Sequence, residues 1–532
     1  MRFFNTAGPI KPDIHYYVPS LERIDLDEVL LLIEQQRYFV LHAPRQTGKT
    51  SVLLALMDEL NASGRYRCMY VNVEIGQSAR EDVGAAIRAI LGQLALRAER
   101  ILGERIVKKV WREALEDSGP HGALQEVLSH WAAADDDRPL VLMIDEIDAL
   151  IGDTLLSVLR QLRAGYPDRP RQYPQTVILC GVRDVRDYRI QSTAENAIVA
   201  GGSAFNIRAE SVRLDDFTRD EVQMLLAQHT EATGQAFEED AWKTVWELTQ
   251  GQPWLVNALA YEACFKNKAG RDRSRPVTAA AICDAREQLI LRRETHLDQL
   301  TDKLQEERVR RVVEPLLSGV ESTEALPQDD VEYVRDLGIL RREGSIAIAN
   351  PIYQEVIPRD LTYTTQVYLA QDPAWYVDAD GRLRLSDLLT AFQEFFREHS
   401  EHWVDRFQYR EAGPQLLLQA FLQRIVNSGG RIEREYGLGR MRTDLLILWP
   451  APGDVRSGQA VQKAVVECKL LYKSLEQTVR DGLEQTRAHM DRCAAEEGHL
   501  VVFNRTAGVS WNDRIFRREE ETEDAKITVW GM

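Results

Sequence analysis

The sequence predicts a multidomain α/β protein, with an N-terminal doubly wound parallel sheet, smaller helical domains and a second α/β domain at its C-terminal end. Short apolar, β-branched runs alternate with longer segments of helical periodicity between residues 38 and 180. A second group of apolar runs, interleaved with charged residues, lies between residues 443 and 503. The length of 532 residues exceeds what one hydrophobic core holds and predicts about two to four domains.

Composition narrows the class of protein. The hydrophobic fraction of 44% is ordinary for a soluble globular chain. No apolar run approaches the roughly 18 residues of a membrane span, and the first residues lack the apolar core of a signal peptide. We therefore expect a cytoplasmic protein with no membrane partner.

Cysteine usage and net charge exclude further classes. The six cysteines form no C-x-x-C pair, which argues against a disulfide framework or a zinc site and fits a reducing compartment. The net charge of −17 opposes general attraction to nucleic acid. Any contact with DNA must therefore come from local basic patches.

The first functional candidate is a strand–loop–helix unit that begins at Tyr38. Residues 39–41 predict a short buried strand, a loop of small and polar residues follows, and Lys49-Thr50 opens an apolar-periodic helix. This is the context of the phosphate-binding pattern G-x-x-x-x-G-K-[ST], with Ala43 in place of the first glycine. The alternative is a chance G-K-T in a solvated loop.

The chemistry of such a loop assigns roles to its residues. Backbone N–H groups and the positive end of the helix would bind phosphates, and Lys49 would reach the β- and γ-phosphates. The Thr50 hydroxyl would bind Mg²⁺. The predicted nucleotide-binding residues of the loop are Ala43, Pro44, Arg45, Gln46, Thr47, Gly48, Lys49, Thr50 and Ser51.

The next elements continue the alternation of strands and helices. Residues 1–37 form a lead-in with a helical pattern at 25–33, which either lies near the nucleotide base or is a packing helix. Residues 67–73 predict a strand, and a long amphipathic region follows from 80 to about 131. The sequence therefore predicts a parallel sheet with helical crossovers.

A second candidate is an apolar run that ends in two acids. Residues 140–144 are apolar, Asp145 and Glu146 follow, and a further strand is predicted at 176–180. In an open parallel sheet, such a strand delivers carboxylates to the edge where ligands bind. Asp145 would hold Mg²⁺, directly or through water, and Glu146 would polarise the water that attacks the γ-phosphate.

These elements resemble those of the AAA-like and STAND-type P-loop ATPases, which are related to origin-recognition ATPases. The resemblance implies ATP as the nucleotide, Mg²⁺ as its metal, Lys49 and Glu146 as catalytic residues, and a homo-oligomer as the working form. The segments that carry the resemblance are residues 43–50, 145–148, 205–207, 214–218 and 251–254.

The chain departs from the family pattern at two places. The strand after the acids ends Cys180-Gly181-Val182-Arg183, without the Asn or Thr common at the sensor position, and no lid arginine stands beside the 251–254 element. Arg183 is therefore the candidate for contacting the nucleotide there. Another basic loop contains Arg163, Arg169 and Arg171. One of these arginines could act as a finger in the site of a neighbouring subunit; the alternative is a solvated basic loop.

Residues 215–362 predict helical modules. A helix begins at Thr218, and residues 215–300 are predicted to form the lid. Two further helices precede two short strands joined at Glu343-Gly344, a pattern that resembles a winged helix. A winged helix implies contact with duplex DNA, whereas a packing or regulatory module is the alternative. The basic residues available for DNA there are Arg310, Arg311, Arg341 and Arg342.

The C-terminal domain contains a second charged cluster. Asp444 begins an apolar strand, and Glu467-Cys468-Lys469 lie in another. Because side chains alternate along a strand, Glu467 and Lys469 share one face, and Asp444 joins them if the two strands are hairpin neighbours. Burying this cluster is costly unless a metal and a phosphate complete it. With Mg²⁺, or Mn²⁺ in its place, the two carboxylates and the Cys468 carbonyl would coordinate the ion while Lys469 orients the attacking water.

This arrangement resembles the PD-(D/E)XK nuclease superfamily of restriction endonucleases and junction resolvases, over about residues 405–505. The resemblance implies a restriction-endonuclease-like α/β fold, a further acid at Glu411, and a helix residue, Gln485, that contacts DNA or the metal site. Thr443 stands where the pattern nominally has proline, and a chance E-C-K on a strand edge is the alternative. The neighbouring basic residues suited to a DNA backbone are Arg424, Arg431, Arg434, Arg440 and Arg442.

Together these features predict an ATP-hydrolysing switch that controls an Mg²⁺-dependent DNA endonuclease on the same chain, in defence against foreign DNA. A second hypothesis is a nucleotide-dependent DNA-binding or assembly switch whose nuclease-like domain only grips DNA. A third is an ATPase that acts on proteins. The predicted domains are 1–214 (ATPase core), 215–300 (helical lid), 301–362 (winged helix), 363–395 (connector) and 396–532 (nuclease-like domain).

Overall fold

The computed structural model divides the chain into two compact units, Met1–Gln299 with Glu332–Ser345 and Ala349–Ile352, and Leu300–Val331 with Ile346–Ile348 and Tyr353–Met532. The described residues are 1–184, 189–192, 197–200, 208–292, 295–317, 326–361, 376–378, 380–406, 418, 421–422, 431–438, 441–450, 461–471, 474–504, 506, 509–521 and 526–532. Within them, no helix is both long enough and apolar enough to cross a membrane.

The first unit is built on a parallel sheet. The described strands of this unit are β1 (Phe3–Phe4), β2 (His15–Tyr16), β3 (Tyr38–His42), β4 (Arg67–Asn72), β5 (Leu140–Asp145), β6 (Thr176–Gly181), β7 (Arg189–Ser192), β8 (Ala197–Ala200) and β9 (Arg208–Arg213). Five of them form one sheet in the order β4-β5-β6-β3-β9, and each neighbouring pair is parallel. This confirms the predicted parallel sheet.

Helices cover both faces of this sheet. Those of the first 164 residues are α1 (Leu26–Glu34), α2 (Lys49–Ala62), α3 (Val83–Leu102), α4 (Ile106–Asp117), α5 (Ala123–Ala132) and α6 (Gly152–Ala164). Val40 of β3 packs into a core with α3, α5 and α6, whereas its neighbours Phe39 and Leu41 pack into a second core with α1 and α2. Because both faces are buried, the central strands β5 and β6 are almost continuously apolar, whereas the edge strand β9 carries several polar residues.

A helical segment follows the sheet. Its helices are α7 (Arg219–Thr233), α8 (Glu239–Thr249), α9 (Pro253–Tyr261), α10 (Ala279–Arg292) and α11 (Thr295–Lys303). Thr218 caps α7 as predicted, and it forms a capping box with Glu221. Gly251 has a φ of 83°, and a Cβ there would lie 2.0 Å from the Phe217 carbonyl oxygen, so only glycine fits the turn before α9.

The segment predicted as a winged helix differs from that expectation. It contains α12 (Glu307–Leu317), α13 (Gln328–Asp336) and α14 (Pro351–Leu361), but between the last two the structure has only single bridge residues, Leu340 and Ile348, where two strands were predicted. Gly344, with a φ of 82°, lies at the predicted turn between these two residues, and the Ala349 N–H donates to the Ile339 carbonyl at 2.8 Å. The paired stretch is therefore present but shorter than the predicted hairpin.

The second unit contains a mixed sheet of six strands. These are β10 (Arg431–Leu438), β11 (Met441–Pro450), β12 (Val461–Leu470), β13 (Glu497–Phe503), β14 (Phe516–Glu521) and β15 (Lys526–Gly531), in the order β10-β11-β12-β13-β15-β14. Helix α15 (Leu385–Arg406) packs on one face, α16 (Leu475–Cys493) packs on the other, and α17 (Trp511–Arg514) is short. Helix α15 continues across residue 395, where a domain boundary was predicted. Its residues Leu388, Leu389 and Phe392, which precede that position, lie in the same core as the strands.

One buried arginine stabilises the first unit. The Arg67 side chain is only 1% exposed and pairs with Glu104 at 3.3 Å. Its guanidinium also donates to the carbonyls of Trp131, Ala132 and Arg138 at 3.3, 3.0 and 2.8 Å. It therefore links the start of β4 to the segment that leads into β5.

We expect Arg67→Met to lower the free energy of unfolding of the first unit by about 2–4 kcal/mol, because it leaves buried carbonyls and Glu104 without their partner. Urea unfolding followed by tryptophan fluorescence measures this. Arg65→Met is the control, because the Arg65 side chain is 63% exposed and its variant should keep the wild-type midpoint. Equal midpoints for all three proteins would contradict the structural role of Arg67.

Candidate functional site

The loop between β3 and α2 folds around the Lys49 ammonium. Lys49 Nζ donates to the carbonyl oxygens of Ala43 and Pro44, both at 2.9 Å, and the side chain is buried. Gly48 has a φ of 101° and is the N-cap residue of α2, so the chain turns sharply into the helix. The N–H groups of the first turn of α2 lack helix partners, and this loop can bind an anion through them.

A cavity of about 480 Å³ opens at this loop. One wall consists of loop residues 45–51 with Tyr70 and Glu146, and another is the N-terminal segment 5–10. The helical segment after the sheet contributes Phe217, Pro253 and Trp254, so the 251–254 element reaches the site. The size suits a nucleotide-sized ligand.

The Asp145 carboxylate at the end of β5 is completely buried and is held by several donors. Its Oδ2 accepts hydrogen bonds from the Thr50 hydroxyl at 2.8 Å and from the Tyr70 hydroxyl at 2.9 Å. Its Oδ1 accepts from the Glu146 N–H at 2.9 Å. The structure thus brings together the two residues predicted to hold Mg²⁺, Thr50 and Asp145.

Glu146 follows Asp145 in a left-handed conformation, with φ of 56° and ψ of 41°. Its carboxylate lines the cavity. Burial, and next the negative charge of Asp148, raise the pKa of Glu146 above its ordinary value, while Lys49 opposes that shift. A carboxylate with a raised pKa in a cavity is suited to accept a proton.

An arginine that sequence reasoning missed also lines this cavity. Arg23 donates to the carbonyls of Thr47 and Asp215, both at 2.6 Å, and its guanidinium lies 4.6 Å from the centroid of the Phe217 ring. Burial lowers the pKa of Arg23 to about 10. Arg23 therefore ties the phosphate loop to the first residues of the lid.

The predicted sensor, Arg183, is paired inside the first unit. Its Nε lies 3.1 Å from Asp336 Oδ2, and its guanidinium lies 4.8 Å from the Tyr333 ring centroid. Gly338, two residues after Asp336, approaches the loop so closely that a Cβ there would lie 2.7 Å from Pro44 Cβ. The end of α13 thus contacts both Arg183 and the phosphate loop.

Of the three arginines considered as a finger for a neighbouring subunit, Arg169 is bound within the chain. Arg169 donates to the carbonyls of Gln36 and Tyr166 and lies 3.4 Å from the Tyr166 ring centroid, so it does not project as the predicted finger. Arg163 and Arg171 are exposed.

Two of the arginines predicted to contact DNA in the winged-helix segment are also paired. Arg311 pairs with Asp330 at 3.0 Å, and Arg342 pairs with Asp215. Both arginines remain partly exposed, so these ion pairs are weak and a phosphate could compete with the carboxylates.

A second polar cluster lies in the mixed sheet. Glu467 on β12 is 2% exposed, and its Oε1 lies 3.0 Å from Lys469 Nζ. Its Oε2 lies 3.0 Å from Nδ1 of His489 on α16. Glu467 is thus held on both oxygens, as a buried carboxylate requires. Cys468 belongs instead to the core on the opposite face of the sheet.

The other residues predicted for this cluster are located in part. β11 and β12 are antiparallel neighbours, and Leu445 pairs with Val466, so the backbone of Asp444 lies next to that of Glu467. Gln485 lies one turn before His489 on α16, and its Oε1 is buried without a hydrogen-bond partner. Glu411, Arg424 and Arg440 fall outside the described residues.

The donor sets differ in how well they suit a metal. Thr50 and Asp145 supply the oxygen ligands that Mg²⁺ prefers, and they lie within hydrogen-bond distance of each other, so they fit that ion. In the described residues, no group of three or more His, Cys, Asp or Glu side chains is close enough to hold a metal. At the second cluster, Glu467 is the one predicted metal-binding carboxylate whose side chain the structure describes, so the donor set there is known only in part.

Sequence reasoning missed Tyr70, Arg23 and His489. Tyr70 lies on the strand beside β5, two residues before Asn72, the register partner of Asp145, and a single sequence does not show that register. Arg23 and His489 are brought in by packing between distant segments, for which a single sequence has no signal.

Comparison with known proteins identifies one family and several similar folds. Residues 6–354, more than half of the chain, match the sequence profile of the AAA-like domain. A Walker-type ATPase of Pyrococcus abyssi aligns at 14% identity and a TM-score of 0.45, over 66% of this chain and 99% of that one. Cdc6p of Pyrobaculum aerophilum aligns at 13% identity and a TM-score of 0.37, over 80% and 97%. The RuvB Holliday junction branch migration motor of Thermotoga maritima aligns at 13% and 0.33, over 64% and 98%. No curated protein sequence matches the chain.

We expect His489→Ala to destabilise the second unit by about 1–3 kcal/mol, because the buried Glu467 carboxylate loses one of its two partners. Differential scanning calorimetry measures the change. His130→Ala, at an exposed histidine, serves as the control and should unfold like the wild type. A second unit that unfolds at the same temperature in His489→Ala would show that Glu467 does not depend on the imidazole.

Proposed function

Because the chain belongs to the AAA-like domain family, we propose that its P-loop site binds and hydrolyses ATP as a switch for the C-terminal α/β unit. The observation that carries the ATPase part is the placement of Lys49, Thr50 and Glu146 at one cavity, with the buried Asp145 carboxylate 2.8 Å from the Thr50 hydroxyl. These are the residues that phosphoryl transfer requires for binding phosphates, holding a metal and orienting water.

The Lys49 contacts support phosphate binding. Its ammonium lies on the neutral carbonyls of Ala43 and Pro44. Charged phosphate oxygens bind an ammonium more strongly than neutral carbonyls do, so a bound triphosphate would draw Nζ to the β- and γ-phosphates. The N–H groups at the start of α2 would bind the same phosphates.

The acidic edge of the sheet supports hydrolysis. Thr50 and Asp145 would hold Mg²⁺, which when bound offsets the negative charge of the β- and γ-phosphates. Glu146 would orient the attacking water and accept its proton. Its raised pKa brings its proton affinity closer to that needed near neutral pH.

Two contacts support a switch. Asp336, the last residue of α13, holds Arg183, and Gly338, two residues later, lies against Pro44. Residues 336–338 therefore contact both the sensor candidate and the phosphate loop. A γ-phosphate that attracts Arg183 would compete with Asp336. Nucleotide state would therefore change how this segment is held.

The finer part of the proposal is that the second unit is an Mg²⁺-dependent DNA endonuclease, acting in defence against foreign DNA. What supports it is the Glu467–Lys469 pair on β12, next to the backbone of Asp444 on a neighbouring strand. Asp444 and Glu467 would hold the metal, Lys469 would orient the attacking water, and Gln485 would contact DNA or the metal site. In this proposal Mg²⁺, or Mn²⁺, activates the bound water.

We expect ATP hydrolysis to fall as the pH drops through the raised pKa of Glu146, because only the ionised carboxylate accepts a proton. The fall should occur above the ordinary glutamate range of about 4.3. Asp148→Asn removes a negative charge that raises this pKa, so the acid limb of the pH–rate profile should move to lower pH. Steady-state phosphate release at graded pH measures both profiles.

Two variants control this measurement. Glu146→Gln should slow hydrolysis by about 100-fold or more if Glu146 is the base, and Lys49→Ala should abolish hydrolysis. An acid limb at the same pH in wild type and Asp148→Asn would show that another group limits the rate.

We expect the chain to cut DNA with Mg²⁺, and Lys469→Ala to lose cutting because the attacking water is no longer oriented. Supercoiled, linear and single-stranded DNA would be incubated with and without ATP, and the products separated on gels. Lys463→Ala is the matched control, since Lys463 lies on the same strand and donates to the Cys493 carbonyl, away from Glu467.

Three outcomes separate the readings. Cutting that ATP or Lys49→Ala alters and Lys469→Ala abolishes supports the coupled nuclease. Cutting that persists in Lys469→Ala contradicts the assigned site. DNA binding that depends on ATP, without cutting of any substrate, favours a nucleotide-dependent binding switch instead.

A further inference from the structure

Tyr70 touches the carboxylate at the centre of the nucleotide site. It lies on β4, its side chain is 5% exposed, and its hydroxyl donates to Asp145 Oδ2 at 2.9 Å. The same oxygen accepts from the Thr50 hydroxyl at 2.8 Å. Tyr70 also lines the cavity, so it lies at the site without belonging to the phosphate loop or to β5.

The tyrosine is itself fixed from α3. The Arg97 guanidinium lies 4.9 Å from the Tyr70 ring centroid, and Arg97 Nε donates to the Tyr70 carbonyl at 2.6 Å. A cation over the ring face and a hydrogen bond to the backbone restrain the ring from two directions. The hydroxyl therefore has a defined position relative to Asp145.

The Thr50 and Tyr70 hydroxyls, which both donate to Asp145 Oδ2, differ in whether they would also bind the metal. Thr50 is expected to use its oxygen as a ligand of Mg²⁺, so its position depends on the ion. Tyr70 has no such second role, and its hydroxyl donates to Asp145 Oδ2 from a strand outside the phosphate loop. The Asp145 carboxylate is completely buried and cannot rely on water to fix its orientation.

We propose that Tyr70 is a positioning residue for the Mg²⁺-binding carboxylate: its hydroxyl holds Asp145 Oδ2 so that the carboxylate and Thr50 present their oxygens to the ion. This deepens the proposed ATPase function and rests on it. Partners that orient metal ligands typically change metal affinity when they are removed. Tyr70 should therefore affect retention of the metal more than binding of the nucleotide itself.

The test is the Mg²⁺ dependence of nucleotide binding in the full chain. Binding of a fluorescent, non-hydrolysable ATP analogue is titrated with Mg²⁺ and repeated in EDTA, and Mn²⁺ retention is followed by electron paramagnetic resonance. We expect Tyr70→Phe to raise the half-saturating Mg²⁺ concentration by about tenfold, and to leave binding in EDTA unchanged. ATP hydrolysis at limiting Mg²⁺ should fall with it and recover in part at high Mg²⁺.

Tyr173→Phe is the matched control. Tyr173 is also a fully buried tyrosine with one hydrogen bond, but its hydroxyl donates to the Gln161 carbonyl, away from Asp145. This variant should keep the wild-type Mg²⁺ dependence. Arg97→Met, which loosens the ring without removing the hydroxyl, should weaken Mg²⁺ and Mn²⁺ retention by a smaller factor, and it keeps the test decisive if Tyr70→Phe does not fold.

The outcomes show whether the role of Tyr70 alone fails or the proposed ATPase function fails with it. Wild-type Mg²⁺ dependence in both Tyr70→Phe and Arg97→Met, in a chain that binds the analogue normally, would overturn the role of Tyr70 alone. Equal losses of binding in Mg²⁺ and in EDTA would show a merely structural role and also overturn it. A wild-type chain that binds no nucleotide would overturn the proposed function together with this inference.

Discussion

The first unit depends on satisfying one fully buried carboxylate, that of Asp145. Asp145 is tolerated at the end of β5 because three donors reach its carboxylate, namely the Thr50 hydroxyl on α2, the Tyr70 hydroxyl on β4 and the Glu146 N–H. A buried carboxylate without such partners would be costly. The order of strands in the sheet is what places these donors side by side.

The cations around the phosphate loop are likewise held by partners within the chain. Lys49 and Arg23 are largely buried, and both bind carbonyls of the loop. Arg183 is held by a carboxylate, that of Asp336. Each of these contacts is one that a phosphate can replace, because an anion is a better partner for a cation than a neutral carbonyl and can compete with a carboxylate. The site is therefore built from contacts that nucleotide binding can exchange, as the proposed switch requires.

Local patterns predicted the parts of the site that are contiguous in sequence. Strand, loop and helix from residue 38 onward, the acids after β5 and the cap at Thr218 each follow from short-range chemistry. The donors that reach Asp145 and Glu467 from elsewhere, Tyr70 and His489, depend on which strands and helices become neighbours. One sequence does not show those pairings. The predicted turn at Gly344 is present after α13, but the residues on either side pair only over a short stretch, because a local pattern does not fix how far two strands extend.

The most direct measurement is the structure of the chain bound to Mg²⁺ and a non-hydrolysable ATP analogue. The account predicts that Lys49 Nζ leaves the Ala43 and Pro44 carbonyls for the β- and γ-phosphates, while Thr50 and Asp145 hold the ion and Glu146 faces the γ-phosphate. A nucleotide bound elsewhere in the chain, or one whose phosphates lie away from Lys49 and Asp145, would contradict it.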